Sequence, residues 1–381
     1  MPDAIGIDYT AAHEQSAGIG RYVRELVRAL AAQDAQTPYR LFVAGARRAD
    51  LPPAPGPNFA WRPTRVTPLW FARIWHRGRV PLPVELFTGR VRLFHATDFT
   101  LPPTLPRVPT LLTVHDLSFV RAPEATTPVL KAYLDAVVPR SVRRATHVLA
   151  DSQATKDDLI ALYGTPPEKI TVLSGGVDPK FRPVQDPAAL QAVRARYHLP
   201  HNPYIFSVGT VQPRKNYARL IAALAALGPD FADVHLVIAG GRGWMEGPIY
   251  RAVEQHGLTD RVHFTGFVAD EDLPALYSGA RCLAYPSLYE GIGLPVLEAM
   301  ACGVPVVTSN VSSLPEVAAD AALQVDPYNV EELAEALRRL LTDTALRETL
   351  IARGFAQAAR YTWPDAARLL RQVYARLLEG S

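Results

Sequence analysis

The chain has 381 residues, long enough for two domains that each bury a core of their own. Its 48% apolar content describes a soluble globular protein, and no apolar run reaches the ~18 residues of a spanning helix. The net charge of +3 divides unevenly: residues 1–180 carry 22 Lys/Arg against 16 Asp/Glu and the remainder 18 against 21. The N-terminal half is therefore the better candidate for an anionic partner, and no concentrated basic groove points to nucleic acid.

Residues 4–9 read as a first strand with no charged-then-apolar leader ahead of it, which predicts a cytoplasmic protein. Residues 18–32 read as a helix with Val23, Leu26, Val27 and Leu30 on one face. Gly18 and Gly20 between them suggest a dinucleotide fingerprint, but the third glycine and the acidic residue after a second strand are missing, so a nicotinamide site is rejected. Residues 40–45 form a second strand, and the prolines from Leu51 to Pro68 argue against regular structure. The stretch 61–83 mixes Trp61, Trp70, Phe71 and Trp75 with Arg62, Arg65, Arg73, Arg77 and Arg79. It reads either as an interface for a lipid-linked or phosphorylated acceptor or an anionic membrane face, or as a helix on the sheet with its arginines outward. Strands at 91–95 and 110–115 end in polar residues: His95 and Asp98 at the first, His115 and Asp116 at the second, where side chains of such sheets face a crevice. A helix over 129–145, a strand over 147–150, a helix capped by Ser152 and a strand over 171–173 complete the first series.

The pattern breaks near 175–200 and resumes at Tyr204. Arg214 and Lys215 follow the next strand at the start of a predicted helix, and two adjacent cations there can neutralise a diphosphate. Asp270 and Asp272 form a D-x-D that reads as a helix cap and a first-turn acid, not a metal clamp. The unit from Cys282 to Asn310 reads as strand, glycine-punctuated loop, helix and strand. Glu290 lies in that loop and Glu298 in the helix, while the amides of Gly291, Ile292, Gly293 and Leu294 occupy a helix start where donors are left for a ligand. Cys282 and Cys302 read as two buried thiols. Residues 330–352 and 363–378 are predicted helices.

Set within YPSLYEGIGLPVLEAMACGVPVVTS, the spacing Glu290-x7-Glu298 resembles the signature of the retaining glycosyltransferases of family 4. The resemblance spans essentially the full length and is most specific over 205–220 and 282–317. It implies an α/β protein of GT-B fold, two Rossmann-like domains facing each other across a cleft. The expected divisions are an acceptor-binding domain at 1–178, a linker at 179–200, a nucleotide-sugar domain at 201–362, and a helix at 363–381 crossing back to the first. It further implies that Gly18 sits over the donor diphosphate, that His115 contacts the transferred hexose, and that Arg214 and Lys215 hold the diphosphate. Backbone near Val268 would meet the base, Glu298 the ribose, and Glu290 with the 291–294 amides the hexose and phosphates. His95, Asp98 and Asp116 are acceptor-side candidates.

The implied reaction transfers a hexose from a nucleoside diphosphate sugar to a glycan or lipid-linked acceptor, with retention and with no metal or other cofactor. No carboxylate stands out as a nucleophile, so the leaving phosphate is expected to deprotonate the acceptor on the same face. Replacing Glu290 is expected to cut turnover while sparing nucleotide binding. The look of the HDLSF and SVGTVQPRKNYARLI segments leans towards bacterial mannosyltransferases of polysaccharide assembly using GDP-mannose. A UDP-hexose donor is the alternative, followed by an epimerase or phosphorylase of the same fold and by a non-catalytic binding module. Peripheral contact with the inner face of an anionic membrane completes the set of expected partners.

Overall fold

A computed structural model describes residues 4–15 and 18–380. The chain divides into two compact units, the first made of Met1–Leu117, Pro128–Gly176 and Thr362–Ser381, the second of Ser118–Thr127 and Val177–Tyr361.

Unit 1 is built on seven parallel strands: β1 (Ala4–Asp8), β2 (Tyr39–Ala44), β3 (Phe59–Thr64), β4 (Val91–Ala96), β5 (Thr110–Val114), β6 (His147–Ala150) and β7 (Ile170–Val172). Their order is β3-β2-β1-β4-β5-β6-β7, so the strand order reverses between β1 and β4. Strands this apolar are buried on both faces, and helices cover them. The helix Ile19–Gln33 buries Tyr22, Val23, Leu26, Val27 and Leu30 on the sheet, sharing that core with Leu370 and Val373 of the final helix Trp363–Glu379. Each such leucine contributes about 1.5–3 kcal/mol by leaving water, and Leu30→Ala would cost about 2–5 kcal/mol. The first of these helices stops where Asp34 accepts from the amides of Gln36 and Thr37 and from the Tyr39 hydroxyl, turning the chain into β2.

Strand β3 corrects the reading of 51–68 as irregular. It lies at the sheet edge, where Pro63 removes no hydrogen bond that a further strand would need. The arginine-rich stretch forms a short helix, Pro68–Phe71, running into a wider turn over Ala72–Arg77. Phe71 and Trp75 are buried, while Trp70 is 54% exposed.

Unit 2 carries six parallel strands: β8 (Tyr204–Val208), β9 (His235–Ala239), β10 (Val262–Gly266), β11 (Cys282–Tyr285), β12 (Val306–Ser309) and β13 (Leu323–Val325). The order β10-β9-β8-β11-β12-β13 reverses between β8 and β11. In open sheets ligands bind beyond the carboxyl ends of the strands at such a reversal. The helix expected over 330–352 is two, Val330–Thr342 and Thr344–Ala358. Asp343 leaves helical geometry between them (ψ 97°) and its carboxylate caps the second by accepting from Leu346 N. The D-x-D reading also changes. Asp272 holds the cap position, but its carboxylate takes Arg196 and the Tyr197 hydroxyl, each at 2.7 Å, and caps no amide. Both cysteines are buried and free. No helix among the described residues is long and apolar enough to cross a membrane.

Candidate active site

The loops after β8 and β11 flank the reversal in unit 2, and they carry Arg214, Lys215 and Glu290. Arg214 and Lys215 sit in a tight turn, Pro213–Lys215, and not in the helix itself. Asn216, in the left-handed conformation (φ 60°), separates them from the helix Tyr217–Ala226. Asn216 also fixes the turn, its side-chain amide donating to the carbonyls of Pro286 and Pro327. The two loops are joined again by Leu288 N, which donates to Arg214 O at 2.9 Å.

One carboxylate then meets two cations. Glu290 Oε2 accepts from Arg214 Nη1 and Oε1 from Lys215 Nζ, each at 2.7 Å. Arg214 also donates to the Tyr289 carbonyl, and Lys215 to the Tyr285 hydroxyl at 2.6 Å. Burial opposes a charge on Glu290, but Arg214, Lys215 and hydrogen bonds from Lys215 and Ser287 outweigh it and hold its carboxyl at about 2. The Glu290 backbone is pinned as well, its N–H donating to Ser312 Oγ and its carbonyl accepting from Ser313 Oγ.

Lys215 reaches this position past Gly209, whose φ of +143° suits glycine. A Cβ there would lie 2.8 Å from Lys215 Cε. Beyond Glu290, Gly293 (φ +82°) starts the helix Leu294–Ala301 with no side chain capping it. Among the described residues, the amides of Gly291, Ile292, Gly293 and Leu294 donate to no protein acceptor, and the first three of these residues are buried. Buried unpaired amides at a helix start are ready donors for an anion or a hydroxyl. Gln212 Oε1 is a further buried atom of these loops with no partner. Glu298 lies in the helix, buried, with the Tyr277 hydroxyl donating to its Oε2 at 2.9 Å. Val268 is buried beyond the end of the edge strand β10.

Unit 1 gathers its candidates at the carboxyl ends of its central strands. Gly18 opens the helix Ile19–Gln33 with φ +57°. His115 is buried, with Nδ1 on Asp151 Oδ2 and Nε2 on the Thr97 carbonyl, both at 2.8 Å. A carboxylate and a carbonyl both accept, so both ring nitrogens donate and the ring is an imidazolium. Burial works against that charge, but Asp151, Asp98 and the Thr97 carbonyl prevail and lift His115 to about 9. Asp98 is raised by burial and by Asp116, against the pull of His115. His95 lies within β4, buried, with Tyr374 OH on Nδ1 and Thr113 Oγ1 on Nε2. Both of its ring nitrogens are therefore engaged within unit 1. Asp8, at the end of β1, escaped the sequence reading, and burial pushes it up to about 6.

Matches to known proteins give the family. The Glycosyltransferase Family 4 profile matches residues 16–181 and the Glycosyl transferases group 1 profile residues 193–357. The O-antigen chain mannosyltransferase B of Escherichia coli is 33% identical over 374 residues, covering 94% of this chain and 96% of its own. The chain belongs to glycosyltransferase family 4. It is a GT-B hexosyltransferase that moves a sugar from a nucleoside diphosphate sugar to an acceptor. The transferase is also 36% identical over 247 residues to the D-inositol 3-phosphate glycosyltransferase of Salinispora arenicola, over 61% of this chain and 55% of that one. Among solved structures, sucrose-phosphate synthase from Thermosynechococcus elongatus superposes with a TM-score of 0.76 at 23% identity, over the whole of both chains. Anabaena HepE, solved with UDP and glucose, superposes with 0.76 at 19%, over 98% of this chain and 100% of its own. Among the transferase's described residues, no group of three or more His, Cys, Asp or Glu side chains is placed to hold a metal ion.

Proposed function

We propose that the transferase binds its donor diphosphate at Arg214, Lys215 and the amides of residues 291–294, and that it works without a metal. The observation that carries this is the pairing of two cations with unpaired helix-start amides at the strand-order reversal of unit 2. Fixed positive charge there offsets the charge that grows on the leaving phosphate. Glu298 is assigned to the ribose hydroxyls, backbone near Val268 to the base, and Glu290 to hydroxyls of the hexose. Gly18 is assigned to the diphosphate side of unit 1, and Asp98 and Asp116 to the acceptor. His115 is assigned to the hexose as a fixed positive charge and not as a proton carrier, since both its N–H groups are committed.

Of the two donor readings, a UDP-hexose is placed first, because UDP and UDP-glucose are named with solved proteins of the same fold. GDP-mannose is second, supported by the name of the E. coli relative. The test is transfer of labelled hexose from UDP-glucose and from GDP-mannose, in EDTA, to a lipid and glycan extract. A labelled product that keeps the donor's anomeric configuration is expected. Product that forms only when a divalent metal is restored, or none from either donor, contradicts the reading.

For the acceptor we propose a glycan or lipid-linked substrate taken at an anionic membrane face. Residues 62–84 hold five arginines and no acid, and Leu69, Trp70, Val80 and Leu86 beside them are 45–65% exposed. Arg73 lies over the Trp70 ring at 4.9 Å, a pairing suited to an interface where apolar and charged groups meet. Sedimentation with phosphatidylglycerol vesicles should drop when Arg73, Arg77 and Arg79 are replaced together. Unchanged sedimentation rejects the surface.

A further inference from the structure

Glu290 does more in this arrangement than wait for a hexose. Its two oxygens are shared between Arg214 and Lys215, so the two cations assigned to the diphosphate already hold a counter-ion. All three side chains are largely out of water, with exposures of 8% for Glu290, 18% for Arg214 and 9% for Lys215. Around the carboxylate stand those two cations, the Tyr285 and Tyr217 hydroxyls and Ser287. None of them is a second acid. The cluster therefore carries one net positive charge, against about two negative charges on a diphosphate.

We propose that Glu290 is the resident counter-ion of Arg214 and Lys215, that the donor diphosphate displaces it, and that it later competes with the product diphosphate for the same cations. This rests on the assignment of the diphosphate to Arg214 and Lys215. A carboxylate left in place beside a bound diphosphate would set like charges about 4 Å apart in a site with little water, at a cost of several kcal/mol. Exchange removes that repulsion, but the freed carboxylate then needs new donors. A nucleoside diphosphate sugar brings them as hexose hydroxyls, whereas the bare nucleoside diphosphate left after transfer has lost the hexose and keeps only its ribose hydroxyls, which are assigned to Glu298. Glu290 thus favours the intact donor over the product and pulls the cations back once the hexose has gone. Lys215 stays in position through the exchange because the Tyr285 hydroxyl still accepts from it, with the ring 4.8 Å from Nζ.

The consequence has a sign that a structural or hexose-binding role does not give. Removing the charge of Glu290 should tighten binding of the bare product. By calorimetry with UDP and GDP, Glu290→Gln should bind the accepted nucleoside diphosphate about tenfold or more tightly than the wild type. UDP-glucose or GDP-mannose should gain less, and transfer should be lost. Glu290→Asp, which keeps a shorter-reaching carboxylate, should show a smaller gain and covers the case that the glutamine variant does not fold. Equal or weaker binding of the product by both variants, with wild-type binding intact, overturns the counter-ion exchange and leaves the proposed donor site standing. A wild type that binds no nucleotide at all contradicts the donor site, and the exchange with it.

Discussion

His115 and Asp151 meet at 2.8 Å, and the far side of the same ring donates to the Thr97 carbonyl at 2.8 Å. Two acceptors on one imidazole fix it as a cation. Its titration rises from the ordinary 6.5 to about 9, so the stability it contributes is complete below pH 6.5 and is lost as pH climbs through 9. Asp151→Asn should cost about 3–5 kcal/mol near neutrality, the penalty for breaking a buried pair. It should also remove most of the alkaline fall in stability. Thermal melts from pH 6.5 to above 9 check this, and a variant that keeps the full alkaline fall contradicts it.

Three other histidines predict acid sensitivity. Burial, reinforced by neighbouring positive charge, lowers His95 to about 3 and His76 and His147 to about 4. Each is neutral when folded but takes a proton on unfolding below its ordinary 6.5, so stability declines as pH falls from 6.5 towards 4. Asp8, raised from 3.8 to about 6, acts in the opposite sense over that narrower window. Glu290, held at about 2 against an ordinary 4.5, adds its own loss only at lower pH. Urea denaturation across this range should show falling midpoints. A midpoint constant or rising from pH 6.5 to 4 would count against the neutral burial of these rings.

Gly209 makes room for the Lys215 side chain. An alanine there would force its Cβ to within 2.8 Å of Lys215 Cε, in a backbone region unfavourable to side chains. Gly209→Ala should weaken nucleoside diphosphate binding by about tenfold or more through displacement of Lys215, since small misplacements of positioning groups are costly. Calorimetry on a variant shown to be folded reads this directly. Affinity equal to that of the wild type would mean that Lys215 holds nothing at the site.

Much of this was legible in the chain. Alternation of short apolar runs with amphipathic helices gave most of the strands, and the loop with Glu290 follows β11, one of the two strands between which the sheet order reverses. Pattern fails where one residue is read without its neighbours. The proline in β3 looks like a breaker until the strand is seen to lie at an edge. Asp343 interrupts what periodicity presents as one helix. Arg214 and Lys215 announced themselves as cations, but not that a carboxylate some 75 residues later would already hold them. His95 and His115 look alike in sequence, each near a strand end. Only their partners separate a neutral ring inside β4 from a buried cation.

The most direct test of the donor site is calorimetry of UDP, GDP, ADP, UDP-glucose and GDP-mannose, each with and without EDTA, on the wild type and on a variant with Arg214 and Lys215 both replaced by alanine. The account predicts that the wild type binds one nucleoside diphosphate tightly, that EDTA leaves this unchanged, and that the double variant loses it. Binding that survives in the double variant, or that vanishes in EDTA, would contradict it.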